Sequence, residues 1–440
     1  MQGKTRIRMT RRNLQIFLFG WLGVVLLVGA CVFIGIMWAL NGGTRQAETM
    51  PDAAVAQSDN PTPTLALAQT PEAPPTAGPT PLPEPTLPPN QDPAFGYGIQ
   101  AQLHKDTERT LDMVEQLGLN WIKQQIRWRD LEGTQGQPNW DALDTIFATT
   151  GERQTKIMVS VLAAPDWARS VTAEGKEGPP DDYQLYANYV GEMVRRYPGR
   201  IHAIELWNEQ NLDREWYTAG GLSARAYVDM VALAAAQIRA ADPNVIIISG
   251  ALAPTGWNDA TATDDLSYMR QMVDAGLLNH VDCVGAHANG YNIPPDVAYD
   301  AGYNDPTATF LGPFANPHPS WSFYSTLNGY HDIIVAAGSD KPLCVTEFGW
   351  ASIEGMEGEA KPGFEFAMDN SLEEQADNIV NAYRLMHDWG FVKLAFLFNL
   401  DYSPKAGGNP QDDTTMFSIQ RPDGGPRPAF EAIMAMPKPE

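Results

Sequence analysis

Two glutamates in this 440-residue chain stand in surroundings that suggest chemistry: Glu209, in I-E-L-W-N-E-Q-N (204–211), and Glu347, in C-V-T-E-F-G-W (344–350). Each closes a short apolar run and is followed by loop-forming sequence, so each reads as the end of a strand. In a barrel of parallel strands those ends face the open mouth, where side chains from different strands can meet around one substrate. A pair of carboxyl groups flanking one bond suits glycosidic cleavage, in which one group protonates the departing oxygen while the other attacks or stabilises the sugar. Either glutamate alone is equally well a helix cap or an ion-pair partner; the pair carries the reading.

The elements needed to position the pair are legible. Short apolar runs near 95–101, 121–127, 156–162, 202–207, 244–250, 281–286, 342–346 and 393–399 alternate with amphipathic stretches at 106–117, 142–154, 183–197, 223–240, 266–275, 322–337, 372–389 and 428–436. That βα alternation predicts a parallel sheet, and eight strands fit a closed (β/α)8 TIM barrel. A doubly wound open sheet is the alternative, but G-Y-G-I-Q at 96–100 lacks the G-x-G-x-x-G spacing and the helix start of a dinucleotide fold. The segments 288–320, 350–371 and 401–426 are long and rich in Pro, Gly and Asp, as loops walling a cleft would be. Aromatic residues near strand ends are candidates for stacking on sugar rings: Trp128, Trp167, Trp207, Trp216, Trp257, Trp350, Tyr291 and Tyr402. Trp167 and Trp350 rank highest because they directly follow strand ends, although aromatic residues in such places also plug cores.

Composition divides the chain into three parts. Residues 1–40 join five early cations (Lys4, Arg6, Arg8, Arg11 and Arg12) to an apolar run from Leu14 to Leu40 in which Gln15 is the only strongly polar residue. About 20 such residues suffice to cross a bilayer, and the cations ahead of the run predict a cytoplasmic N-terminus with everything downstream outside. A cleaved signal peptide and a lipoprotein processed at Cys31 are the rival readings. Residues 41–92 contain twelve prolines and eight threonines and no aromatic residue, the composition of a disordered, semi-extended spacer. Residues 93–440 form the barrel domain and carry the entire net charge of -23, because the first 92 residues hold six cations and six anions. That balance argues against nucleic acid or an anionic membrane surface as a partner of the domain. Cys283 and Cys344 fall inside apolar strands and are expected as buried free thiols, with a disulfide as the alternative in an oxidising compartment. No Cys/His spacing suggests a metal.

The two glutamate motifs resemble those of clan A glycoside hydrolases, retaining enzymes on a (β/α)8 barrel. W-R-D-L-E-G-T-Q-G-Q-P-N-W-D-A-L-D (128–144) resembles the strand-two stretch shared by families such as 39 and 42, and A-P-D-W-A (164–168) resembles the end of strand three in family 39-like and family 5-like enzymes, so a family 39-like or family 5-like member is implied. The resemblance implies that Glu209 is the acid/base, that Glu347 is the nucleophile, and that Asn208 binds the sugar 2-hydroxyl. It further implies that His287 belongs to the site, together with a cation on strand two, for which Lys123 and Arg127 are the candidates. Where the clan has a tyrosine after that histidine the chain reads Asn289, leaving Tyr291 as the substitute, and where strand eight offers a tryptophan the nearest residue is Phe398. Glu209 is expected to have a raised pKa, through burial and the second carboxylate. The implied activity is hydrolysis of an oligo- or polysaccharide by double displacement, with no cofactor. A carbohydrate-binding protein without turnover and a transglycosylase are the alternatives; sugar, linkage and oligomeric state stay open.

Overall fold

The computed structural model describes residues 94–439. The expected membrane segment and Pro/Thr-rich spacer lie outside the described residues. Eight parallel strands, β1 (Gly96–Gln100), β2 (Trp121–Arg127), β3 (Lys156–Leu162), β4 (Ala203–Leu206), β5 (Ile246–Ser249), β6 (Val284–Gly290), β7 (Leu343–Trp350) and β8 (Val392–Leu397), run in the order β5-β4-β3-β2-β1-β8-β7-β6. A parallel bridge between Ile248 and Cys283 joins the two outer strands and rounds the sheet into a barrel. The principal helices follow the strands: α1 (Thr107–Gln116), α2 (Asp141–Thr150), α3 (Tyr183–Arg196), α4 (Ala224–Ala241), α5 (Asp265–Asp274), α6 (Phe323–Ala336), α7 (Leu372–Trp389) and α8 (Pro428–Ala435). This is the (β/α)8 architecture expected from the alternation.

Local chemistry starts these helices where the sequence indicates. The side chains of Asp106, Asp182, Ser223, Asp264 and Ser322 each accept a backbone N–H in the first turn of α1, α3, α4, α5 and α6. Helix α7 has a full capping box, Ser371 with Glu374, and stops at Gly390, whose φ of 70° is the left-handed conformation glycine takes without strain. The strands are almost wholly buried because helices cover the outside while side chains fill the inside. Within the barrel, Trp121, Met158, Ala203, Ile248, Leu394 and Phe396 form one packed layer with Cys283 and Cys344. Gly98 in β1 leaves room for the Phe396 ring, which a β-carbon would meet at 2.4 Å.

Cys283 and Cys344 are joined by a disulfide, Cα to Cα 5.8 Å, which corrects the expectation of free thiols. Sequence shows that both are apolar-strand residues but not that the strands they occupy, the one starting at Val284 and β7, are neighbours. The second correction concerns β7, which does not stop at Glu347 but continues to Trp350. Against β6, Val345 pairs with Ala286 and Glu347 with His287, leaving Thr346 as an extra residue at a register shift. Such a bulge re-aims the side chains that follow it.

Candidate active site

Glu209 lies three residues beyond β4, and its motif explains how it is held. Gln210 donates to the Gly250 carbonyl (2.8 Å), Asn211 donates to the Ala253 carbonyl and accepts from the Ala253 N–H (2.9 Å each), and the Glu209 N–H itself bonds the Ala251 carbonyl (2.8 Å). The exit of β4 is thereby stapled to the exit of β5. Trp207 and Glu209 both have left-handed backbones, φ 86° and 46°. Such conformations cost non-glycine residues about 1–3 kcal/mol each and persist only where the surroundings over-determine them.

Lys123 of β2 is fully buried, with Nζ 2.9 Å from Glu347 Oε1 and 3.2 Å from Glu205 Oε2. Burial works against its charge, but the two carboxylates outweigh burial and raise its pKa, so a buried ammonium stands beside Glu347. Glu205 is itself completely buried and accepts the Thr346 hydroxyl at 2.6 Å. His287 sits between the two candidate catalytic carboxyls: Nδ1 is 3.1 Å from Glu209 Oε1 and Nε2 is 3.8 Å from Glu347 Oε1. Its pKa is raised, because Glu347 and Glu209 overcome the effect of burial.

Above this floor opens a cleft of about 470 Å³ lined by Asn208, Glu209, Arg214, Glu215, Asn289 and Glu347, with Tyr291, Phe364, Phe366, Phe398, Tyr402 and Phe417 along its walls. Asn208 Oδ1, Asn289 Oδ1 and His287 Nε2 are buried with no hydrogen-bond partner among the described residues. Buried polar atoms of this kind ordinarily have partners, and here they belong to residues in the cleft wall or floor. Among the described residues no group of His, Cys, Asp and Glu side chains is arranged to hold a metal.

Of the residues singled out from the sequence, the cleft unites Glu209, Glu347, Asn208, Asn289, Tyr291 and Phe398, with Lys123 and His287 beneath. Tyr402, another aromatic candidate, lines it too, whereas Arg127 and the tryptophans do not. Arg127 points to the rim and pairs with Glu177, so Lys123 alone is the cation of strand two at Glu347. Trp350 is fully buried; its Nε1 donates to the Ile293 carbonyl (2.9 Å), and its indole fills the space a β-carbon at Gly290 would take. Trp167 donates to the Glu132 carbonyl (2.8 Å) and packs edge-on to Trp128 outside the cleft. Trp128, Trp207 and Trp216 are core plugs as well, and Trp257, 63% exposed, is not among the residues lining the cleft.

The expected rise in the Glu209 pKa is also corrected. Burial does push it up, but Arg214 and His287, both bonded to the carboxylate, pull it down to about 2. Neighbouring Glu215 is raised to about 7, first by burial and then by the charge of Glu209. Arg214, Glu215 and Glu205 were not singled out from the sequence. Glu205 sits within the glutamate motif itself, as an acid inside an apolar strand, which was a usable signal; Arg214 and Glu215 offered none beyond proximity to Glu209.

The fold is the (β/α)8 barrel, which is also the fold of the clan A glycoside hydrolases, and Glu209 and Glu347 approach His287 from two sides. Solved barrels of that kind are similar in structure. A family 39 glycoside hydrolase from Bacteroides cellulosilyticus WH2 matches with a TM-score of 0.57 at 18% identity, over 79% of this chain and 64% of that one. The catalytic domain of a family 53 enzyme from Ignisphaera aggregans matches with a TM-score of 0.53 at 15% identity, over 79% of this chain and 97% of that one. A monomeric β-xylosidase from Caulobacter crescentus CB15 matches with a TM-score of 0.52 at 17% identity, over 78% and 68%. The chain thus spans less than two thirds of the Bacteroides protein. No family model and no curated relative matches the sequence.

Proposed function

We propose that this protein is a retaining glycoside hydrolase acting on an oligo- or polysaccharide. The observation that carries the reading is the arrangement of Glu209 and Glu347 on either side of His287, at the floor of an aromatic-walled cleft. Glu347, beside the Lys123 ammonium, attacks the anomeric carbon, while Glu209 passes a proton to the departing oxygen. The C–O bond to the leaving sugar breaks as the bond to Glu347 forms. Water then adds to the anomeric carbon, giving a proton to Glu209 and releasing Glu347. Asn208 and Asn289, which line the cleft and have carbonyl oxygens without a hydrogen-bond partner among the described residues, hold sugar hydroxyls, and the rings of Tyr291 and Phe398 provide apolar faces for the pyranose.

The apolar run at residues 14–40 tethers the barrel to the outer face of the cytoplasmic membrane. Deletion of residues 1–40 is expected to release active, soluble protein; an inactive or insoluble product would place that segment within the fold.

Glu347→Ala and Glu209→Ala test the chemistry. The Glu347 variant should be inactive on every substrate. The Glu209 variant should fail on sugar leaving groups yet keep much of its rate on activated phenols, which leave without protonation, and azide should restore turnover with retained configuration. Azide rescue at position 347 with retained configuration would instead reverse the roles, and parental activity in both variants would refute the assignment.

A further inference from the structure

Arg214 contributes something the double-displacement scheme does not use. It stands five residues after Glu209 on the loop between β4 and α4, and its guanidinium is bonded directly to Glu209 Oε2, the carboxyl oxygen that His287 does not hold. The loop backbone beneath it is fixed, since the Arg214 carbonyl accepts the Glu177 N–H at 2.7 Å. The side chain is not: it is 55% exposed, and its next nearest carboxylate, Glu215, is 3.9 Å away. Arg214 lines the cleft together with Glu209.

The reaction needs Glu209 in two states. It must carry a proton when the glycosidic bond breaks and must be ionised when water attacks. An arginine bonded to the carboxylate permits only the second. The charged and titratable groups around Glu209 are Arg214 and Glu215 from its own loop, His287 from β6 and Tyr291 just after it, with Glu347 from β7 on the other side of His287 and Asp413 from the loop after β8 acting on Arg214. Of the two basic side chains bonded to Glu209, His287 is fully buried whereas Arg214 is 55% exposed, so Arg214 is the one that can leave without disturbing the fold.

We propose that Arg214 is a positioning residue which sets the protonation state of Glu209 and is drawn off it when a leaving-group sugar occupies that side of the cleft. This rests on the hydrolase reading above. With the sugar bound, its hydroxyl oxygens take over the guanidinium, and Glu209, now buried beside two other carboxyls, picks up a proton from solvent. That proton moves to the departing oxygen. Once the leaving sugar diffuses away Arg214 returns, and Glu209 is ionised and ready to accept a proton from water. The consequence is specificity: chains that fill the leaving-group side are favoured over glycosides that leave it empty.

The test compares Arg214→Gln, Arg214→Lys and the parent as full-length protein in detergent. A water-soluble carbodiimide, which reacts with protonated carboxyl groups, is applied at mildly acid pH, and modification of Glu209 is read by peptide mass spectrometry. Glu209 should be labelled about tenfold more in the Gln variant than in the parent, while the Lys variant, of similar size but still cationic, resists labelling. In turnover, the alkaline limb of kcat/KM should move to higher pH in the Gln variant, and the advantage of oligosaccharides over aryl glycosides should shrink. Equal labelling of Glu209 in all three proteins overturns the proposal, as does a rate loss uniform across pH and substrate. Labelling needs no turnover, so an inactive parent would refute the hydrolase reading while Glu209 modification still decides the role of Arg214.

Discussion

Replacing Lys123 with methionine tests the centre of the site most severely. The ammonium is completely buried and serves two carboxylates, Glu347 at 2.9 Å and Glu205 at 3.2 Å. Methionine fills nearly the same volume but leaves both acids without a cation. Breaking a buried pair in this way costs about 3–5 kcal/mol. An unfolding entropy of about 2.1 cal/mol/K per residue over about 350 residues gives about 0.7 kcal/mol/K, so the melting temperature should fall by about 4–7 °C. The sign with pH follows from the raised pKa of Lys123. Its contribution is complete below the ordinary lysine value and is lost only as pH rises through the higher folded value, so between about pH 5 and 9 the parent should show no loss from this group. The deficit of the variant should therefore be full across that whole range. Adding Glu205→Gln should restore part of the stability, because one stranded charge is removed, but not the activity. Scanning calorimetry across pH, paired with kcat/KM, makes the measurement. A melting temperature within about 1 °C of the parent, or a deficit that grows on acidification, would refute the reasoning.

Arg127→Ala should be the mild counterpart, since that side chain is 45% exposed on Glu177: stability should stay within about 1 kcal/mol and kcat/KM should be unchanged. Trp350→Ala should cost about 3–5 kcal/mol by emptying a fully buried site, with thermal denaturation as the readout. Phe398→Ala should raise KM about tenfold at nearly unchanged melting temperature; the opposite pattern would make Phe398 a packing residue without a sugar contact. Replacing Cys283 and Cys344 by alanine releases a cross-link spanning 61 residues. The loss should be about 4 kcal/mol, seen as a lower melting temperature that reductant reproduces in the parent, with activity at 25 °C retained because the bridge lies in the barrel's packed layer.

The elements were legible because their signals are local. Apolar runs bounded by caps such as Ser223 and Ser371 specify a helix or strand within a few residues, and the observed helices begin and end close to where that pattern places them. Glu209 and Glu347 stood out for a related reason: each is an acid at the end of an apolar run, and although either alone could be a cap or an ion-pair partner, the pair points to one cleft, which both line. The tryptophans misled because a strand end is also where large rings close off the core. Trp350 and Phe398 occupy comparable places in sequence, yet one is wrapped by β6 while the other faces the cleft.

By itself the sequence determined the alternation of eight strands with helices, the concentration of negative charge on residues 93–440, and the two acids that a parallel barrel brings to one mouth. Tertiary structure decided everything that depends on which way a side chain turns once strands are neighbours. The extra residue at Thr346 breaks strand alternation and aims Glu347 at Lys123; the left-handed backbone at Trp207 and Glu209 turns the acid toward His287; and adjacency across the barrel makes Cys283 and Cys344 a disulfide. The physical reason is range. Propensity, periodicity and capping act over one or two turns of chain, whereas Glu209 is bonded to His287, 78 residues away in sequence, which only the closed barrel places against that carboxylate.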